Sequence, residues 1–357
     1  LRAHNFSAGP CTLPVSVLEE AQAEFVDFHG AGASLIEMSH RGPQYLAVHD
    51  EALALARSVA QAPDEFEVLF VGGGATMQFG MIPMNLLHPG EKAGIALTGS
   101  WSKKAYSDGV HHGALYSAFD GGPDYTATPT TDQLQIEDDT KYLHVCSNET
   151  IGGIRFPTLP DLGVPLVVDM SSEYLARPIP WDIVDVVFGG VQKNLGPAGM
   201  AIVYVRKSVI ERAPANLASA LRYQVYANKN SMYNTPPVFT IWMTGKVLKW
   251  IESQGGTVGL ERAAAAKADA VYGAIDESDG FFRSPVATAD RSHTNVVFRL
   301  PTGELEQQFL AEAVELGMVG LEGHFSVGGL RASMYAALPE ESVWTLVDHM
   351  TSFKERS

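Results

Sequence analysis

Short apolar runs recur along the first two-thirds of the chain, at residues 68–71, 95–98, 114–118, 142–146, 166–170, 184–188 and 201–205. Several are nearly continuous rather than alternating. A strand of that kind is covered on both faces, so the pattern predicts a mostly parallel seven-stranded sheet wrapped by helices. Helical spacing precedes the sheet. Val15, Leu18, Ala21, Phe25 and Phe28 predict a helix over 15–29, and a second runs from about Gln44 to Ala60. After the last strand a long helix is expected over 236–254, with Pro at its start and Gly255-Gly256 just beyond its end. The remainder reads as helix 257–276, strand 294–299, helix 304–316, strand 329–335 and helix 338–353. The expected organisation is a large α/β domain over 15–255 and a smaller α+β domain made from 1–14 plus 256–357.

Composition narrows the function classes. The 357 residues are 46% hydrophobic and 18% charged, enough apolar side chain for a large core and ordinary for a folded chain. Forty-one acidic against 25 basic residues give a net charge of -16, which repels nucleic-acid phosphates and anionic lipid. An anionic ligand must then be gripped by a few placed cations or amides. Two distant cysteines, Cys11 and Cys146, form neither a disulfide framework nor a CxxC metal spacing, so a reducing cytoplasm and no metal site are expected. Residues 1–10 show no basic region followed by an apolar stretch, and no apolar run is long enough to span a bilayer.

The candidate chemistry sits at strand ends. Asp169 closes the run 166–170, and the next strand leads into Gly189-Gly190-Val-Gln-Lys193-Asn-Leu-Gly196-Pro-Ala-Gly199. Alone, the Asp reads as a turn or cap residue and the Lys as a solvated loop cation. Together they follow consecutive strands and project into one crevice at the carboxyl edge of the sheet. Pyridoxal phosphate (PLP) chemistry needs that pair: an amine to carry the cofactor aldehyde and act as a base, and a carboxylate to keep the pyridine nitrogen protonated. Phe70-Val-Gly72-Gly73-Gly74-Ala75-Thr76 reads as a strand, a glycine turn and a helix start near Ala75, whose free amides suit a phosphate. It lacks both the dinucleotide and the P-loop glycine spacings. Trp101, just past another strand, is either a core residue or a stacking surface for a flat ring.

Nine segments then occur in order: Asn-Phe-Ser-Ala-Gly-Pro at 5–10, Ser-His-Arg at 39–41, Gly-Gly-Gly-Ala-Thr at 72–76, Thr-Gly-Ser-Trp-Ser at 98–102, Asn-Glu-Thr at 148–150, Asp-Met-Ser-Ser at 169–172, Gly-Val-Gln-Lys-Asn-Leu-Gly-Pro at 190–197, Tyr-Asn-Thr-Pro-Pro at 233–237 and Gly-Gly-Leu-Arg-Ala-Ser at 328–333. In this the chain resembles the phosphoserine aminotransferase family from about residue 4 to its C-terminus. The resemblance implies a fold-type-I PLP-dependent transferase acting as a homodimer. It implies Lys193 as the Schiff-base lysine and proton shuttle, Asp169 on the pyridine nitrogen, Trp101 on the ring face and Thr150 at the phenolic oxygen. Ala75, Thr76 and Gln192 would hold the cofactor phosphate, joined by Asn234 and Thr235 from the partner subunit. Arg331 would grip the substrate α-carboxylate, and His40, Arg41 and His324 would serve the distal phosphate or carboxylate.

The implied reaction passes the amino group of L-glutamate to 3-phosphohydroxypyruvate, a step of serine biosynthesis, with 4-phosphohydroxythreonine as a further candidate substrate. One departure bears on it. The family usually has His-Arg ahead of Ser-Val-Gly-Gly, and here the pair is His324-Phe325. The missing guanidinium leaves open a fold-type-I aminotransferase for a small non-phosphorylated keto acid. A non-catalytic protein on the same scaffold is a third reading, against which the set Asp169, Lys193 and Trp101 argues.

Overall fold

The computed structural model describes residues 2–357. All seven apolar runs are strands of one sheet: β1 (Phe66–Gly72), β2 (Lys92–Leu97), β3 (Ala114–Asp120), β4 (Thr140–Cys146), β5 (Leu166–Asp169), β6 (Val184–Gly190) and β7 (Met200–Arg206). Their spatial order is β1-β7-β6-β5-β4-β2-β3. Neighbours are parallel except for β7, which runs antiparallel to both β1 and β6.

The apolar runs are continuous because alternate residues enter different cores. On β7, Met200, Ile202 and Tyr204 face one core while Ala201, Val203 and Val205 face the other. The first core packs under α1 (Val15–Glu24), α2 (Pro43–Ala60) and α5 (Val238–Ser253). The second lies under α3 (Gly74–Leu86) and α4 (Ser100–Gly109).

Beyond the sheet come α6 (Gly256–Asp276), β8 (Asn295–Phe298), α7 (Gly303–Glu315), β9 (Leu330–Ser333) and α8 (Glu340–Arg356). β8 and β9 pair antiparallel, with Val297 opposite Arg331. A third core gathers Phe6, Val271, Phe298, Phe309, Leu346 and Phe353. The N-terminal strand His4–Asn5 joins this unit by pairing with Met318–Val319.

The first helix is shorter than its apolar spacing predicts. It stops at Glu24, and Phe28 belongs to a separate 3-10 turn in which His29 has φ 52°. The break is at Asp27, whose extended backbone (φ -133°, ψ 98°) takes the chain out of the helix before Phe28, and Gly30 and Gly32 follow at φ 78° and 73° in the turn beyond.

Candidate active site

Because every strand but β7 points the same way, the carboxyl ends of β1, β2, β4, β5 and β6 open onto one edge. A cavity of about 420 Å³ lies there, lined by Gly73, Gly74, Ala75, Thr76, Trp101, Thr150, Asp169, Gln192 and Lys193 among others. The structure thus gathers residues spread over more than a hundred positions of sequence.

At the end of β1 the chain turns through Gly73 (φ 91°) and Gly74 (φ 67°) into α3. At φ 91° the Gly73 backbone favours glycine, and a Cβ there would also crowd the Met77 sulfur, at 2.4 Å. The Gly73 amide donates to the Gly199 carbonyl at 3.0 Å, which seats this turn against the loop that carries Lys193. The first amides of α3, at Ala75 and Thr76, have no partner within the helix and border the cavity, as phosphate binding at a helix start requires.

Lys193 is buried and donates to the Thr150 hydroxyl. Its ammonium lies 5.1 Å from the centre of the Trp101 ring. Burial lowers the affinity of its amine for a proton, against the pull of Asp169, Cys146 and Glu149, and the Arg331 charge adds to the lowering. Asp169 is equally buried and accepts from the Ser171 amide at 2.9 Å. Burial raises its carboxyl above the usual range, while Ser171 and Lys193 hold it down. In both groups the dry site penalises the charged form.

Glu149 escaped the sequence reading as a residue with a task of its own. Wholly buried, it accepts from the amides of Trp101 and Ser102, each at 2.8 Å, and so caps the start of α4. A Cβ at Gly99 would come within 2.5 Å of the Glu149 carboxyl carbon, which explains the glycine there. The carboxylate thereby sets where Trp101 stands. Burial raises its pKa, and the two amides oppose the rise. The Asn-Glu-Thr segment at the end of β4 was the only signal, since its partners lie 48 and 47 residues away.

Arg331 stands at the border of a second cavity of about 620 Å³, with Nη1 3.5 Å from the Thr150 carbonyl oxygen. Its Nε is buried without a hydrogen-bond partner, and burial lowers its pKa. His324 accepts or donates at 2.7 Å with Ser326, one of that cavity's lining residues. The remaining expected residues are not brought to either cavity. His40 is half-buried and Arg41 exposed at the start of α2, and Asn234 and Thr235 are exposed in the loop before α5.

The arrangement fits PLP. The unpaired amides of α3 match a phosphate and the Trp101 face matches a flat ring. The Lys193 amine is available to an aldehyde. The Asp169 carboxylate, destabilised by burial, gains most from a cationic ring nitrogen beside it.

The class-V aminotransferase family model matches residues 3–346 of the chain. Phosphoserine aminotransferase of Niallia circulans is 48% identical over 355 residues, covering 99% of this chain and 98% of that one. Solved structures agree. Phosphoserine aminotransferase from Bacillus circulans subsp. alkalophilus superposes with TM-score 0.97 at 47% identity, with 99% of each chain covered. The PLP-bound phosphoserine aminotransferase from Trichomonas vaginalis gives TM-score 0.94 at 37% identity, covering 98% of this chain and all of that one. The chain belongs to the class-V aminotransferases, within their phosphoserine aminotransferase family.

Proposed function

We propose that the chain transfers the amino group of L-glutamate to 3-phosphohydroxypyruvate, giving O-phospho-L-serine and 2-oxoglutarate in serine biosynthesis. The observation that carries this reading is the meeting of Lys193 and Asp169 across one dry cavity beside the free amides of α3. Bound PLP supplies the electron sink that lets a substrate Cα give up its proton.

The residues divide the remaining work. Lys193 Nζ takes the proton from the substrate Cα and later returns one, aided by a burial that favours its neutral amine. Thr150 Oγ1 steers that amine. Asp169 holds a proton on the ring nitrogen. Trp101 covers the ring face and keeps water off it. Ala75, Thr76 and Gln192 hold the phosphate, and Arg331 takes the α-carboxylate with a planar fork suited to it.

Asn234 and Thr235 act from the partner subunit in a homodimer, where they complete the phosphate site, and His40 and Arg41 reach the substrate there. Support comes from their exposure in the single chain and from the exposed apolar residues Phe25, Val26, Tyr233 and Phe239 of the same region. The two unpaired cysteines support a cytoplasmic setting. A division into two domains near residue 255 is supported by the separate third core.

The test is a half-reaction survey. The PLP-loaded protein is mixed with single amino acids, and its visible spectrum is followed. O-Phosphoserine and glutamate should convert it rapidly and alanine should not. Conversion by alanine with indifference to phosphoserine would replace this reading with that of a small-keto-acid aminotransferase.

A further inference from the structure

The second cavity is cationic in a chain whose net charge is -16. Lys103 of α4, Arg299 just after β8, and Arg331 of β9 all line it, and Asp124 is the one acidic residue in its described lining. Among the described residues no salt bridge engages Lys103 or Arg331. Arg299 has only Glu306, at the outer limit of 4.0 Å. Cations left unmatched around a concave space favour an anion within it.

Arg299 stands at the rim of the cavity, its side chain 49% exposed. Its Nη2 donates to the Val327 carbonyl. Gly328 and Gly329 adopt φ 65° and 69°, and Cβ atoms there would come 3.1 Å from Arg299 Nη1 and 3.0 Å from its Cδ. The loop packs closely against this side chain. Phe325, by contrast, is 93% exposed and is not a lining residue. Along the β8–β9 pair, Val297 lies opposite Arg331, and Arg299 is two residues further on. That step is roughly 7 Å of strand, of the order of the separation between the two anionic ends of a phosphorylated three-carbon acid.

We propose that Arg299 and Lys103 join His40, Arg41 and His324 in holding the distal anionic group of the substrate, a phosphate monoester or a side-chain carboxylate, while Arg331 holds the α-carboxylate. The proposal rests on the aminotransferase reading above and adds the two residues that select the far end of the substrate. In this chain they supply the positive charge that position 325 does not.

The test uses the PLP-loaded full chain carrying Arg299→Met or Lys103→Met, with Arg299→Lys as the conservative variant. KM and kcat are measured with O-phosphoserine and with glutamate, and inorganic phosphate is titrated as a competitor. Each methionine variant should raise the phosphoserine KM and the phosphate inhibition constant about tenfold, as loss of a charged hydrogen bond does. The loss should fall on KM more than on kcat, and Arg299→Lys should recover part of it. A parallel rise in the glutamate KM assigns one subsite to both distal anions, whereas an unchanged glutamate KM assigns it to phosphate alone. Unchanged phosphate inhibition and phosphoserine KM in both methionine variants would overturn the subsite. A wild-type protein that ignores phosphoserine would instead sink the reaction assigned above, and the phosphate titration would still decide the subsite.

Discussion

Lys267 offers a direct measure of how dry the joint behind the active site is. It lies on α6, 5% exposed, and its ammonium donates to the carbonyls of Tyr335 at 2.8 Å, Leu338 at 3.3 Å and Ala336 at 3.5 Å. Burial lowers its pKa from 10.5 to about 8, with Glu340 and then Cys11 pulling the other way. Between these two values the unfolded chain keeps a proton that the folded chain has shed, so stability contributed by this group rises with pH across that window. Below about pH 8 the folded state bears the full cost of a charge in a dry place. The drop amounts to about 3 kcal/mol. Replacing Lys267 with Met removes the titration and also removes the donors to three carbonyls. The second effect is independent of pH, so the pH-dependent part of the difference isolates the first. Urea unfolding of both proteins at pH 8 and pH 10.5 should show the wild type gaining about 3 kcal/mol on the variant across the interval. A difference that stays constant over that range would refute the reasoning, because Lys267 would then titrate alike in the folded and unfolded chains.

Three further outcomes follow from the site. Lys193→Ala should lose both turnover and the visible absorption of the bound cofactor, and wild-type activity in that protein would end the assignment. Glu149→Gln keeps one acceptor but turns an amide group toward the second α4 amide, so it should cost about 2–3 kcal/mol in urea unfolding and loosen cofactor retention through Trp101. Glu173→Gln should destabilise the chain by about 3 kcal/mol, because Glu173 is buried between Arg155 at 2.9 Å and Arg177 at 3.0 Å, and its loss leaves Arg177 without a counter-charge and Arg155 with only Glu261, at 3.5 Å. A calorimetric or urea midpoint equal to that of the wild type would show that solvent reaches the pair.

The strands were legible because a doubly covered sheet leaves continuous apolar runs, and all seven runs became strands. The direction of β7 was not read, since an apolar run looks the same either way along a sheet. The clue lay in the connection: β6 ends at Gly190 and β7 begins at Met200, with no helix between them to make a parallel crossover. Lys193 and Asp169 were legible as a pair because each follows its own strand and the strands are consecutive. Helix α4 was not, because it carries few apolar side chains and its start is secured by a carboxylate from a distant strand end. Arg331 meets the Thr150 carbonyl across 181 residues, a contact that no local pattern encodes.

The joint between sheet and C-terminal unit is polar. The Ala8 carbonyl can only accept, so the Tyr335 hydroxyl donates to it, at 2.7 Å. The phenol oxygen must then accept from Asn295 Nδ2, at 3.2 Å, which turns the Asn295 carbonyl toward Asn148. Asn148 Nδ2 donates to that carbonyl at 2.8 Å and to Ser172 Oγ at 2.7 Å, because the Ser172 proton is already given to the Asn148 backbone carbonyl. Two backbone acceptors, at Ala8 and Asn148, thus fix the orientation of Tyr335, Asn295, Asn148 and Ser172 up to the cofactor cavity, which Asn148 lines. The cost is visible in Asn148 Oδ1, buried without a donor. Apolar contacts would have let β9 slide over the sheet at little expense, since they carry no direction. A directed chain does not allow that. Asn295 Nδ2 also reaches Ser333 Oγ at 3.0 Å, two residues from Arg331, so the stretch that carries the arginine is referenced to the same segment, 148–150, that carries Thr150.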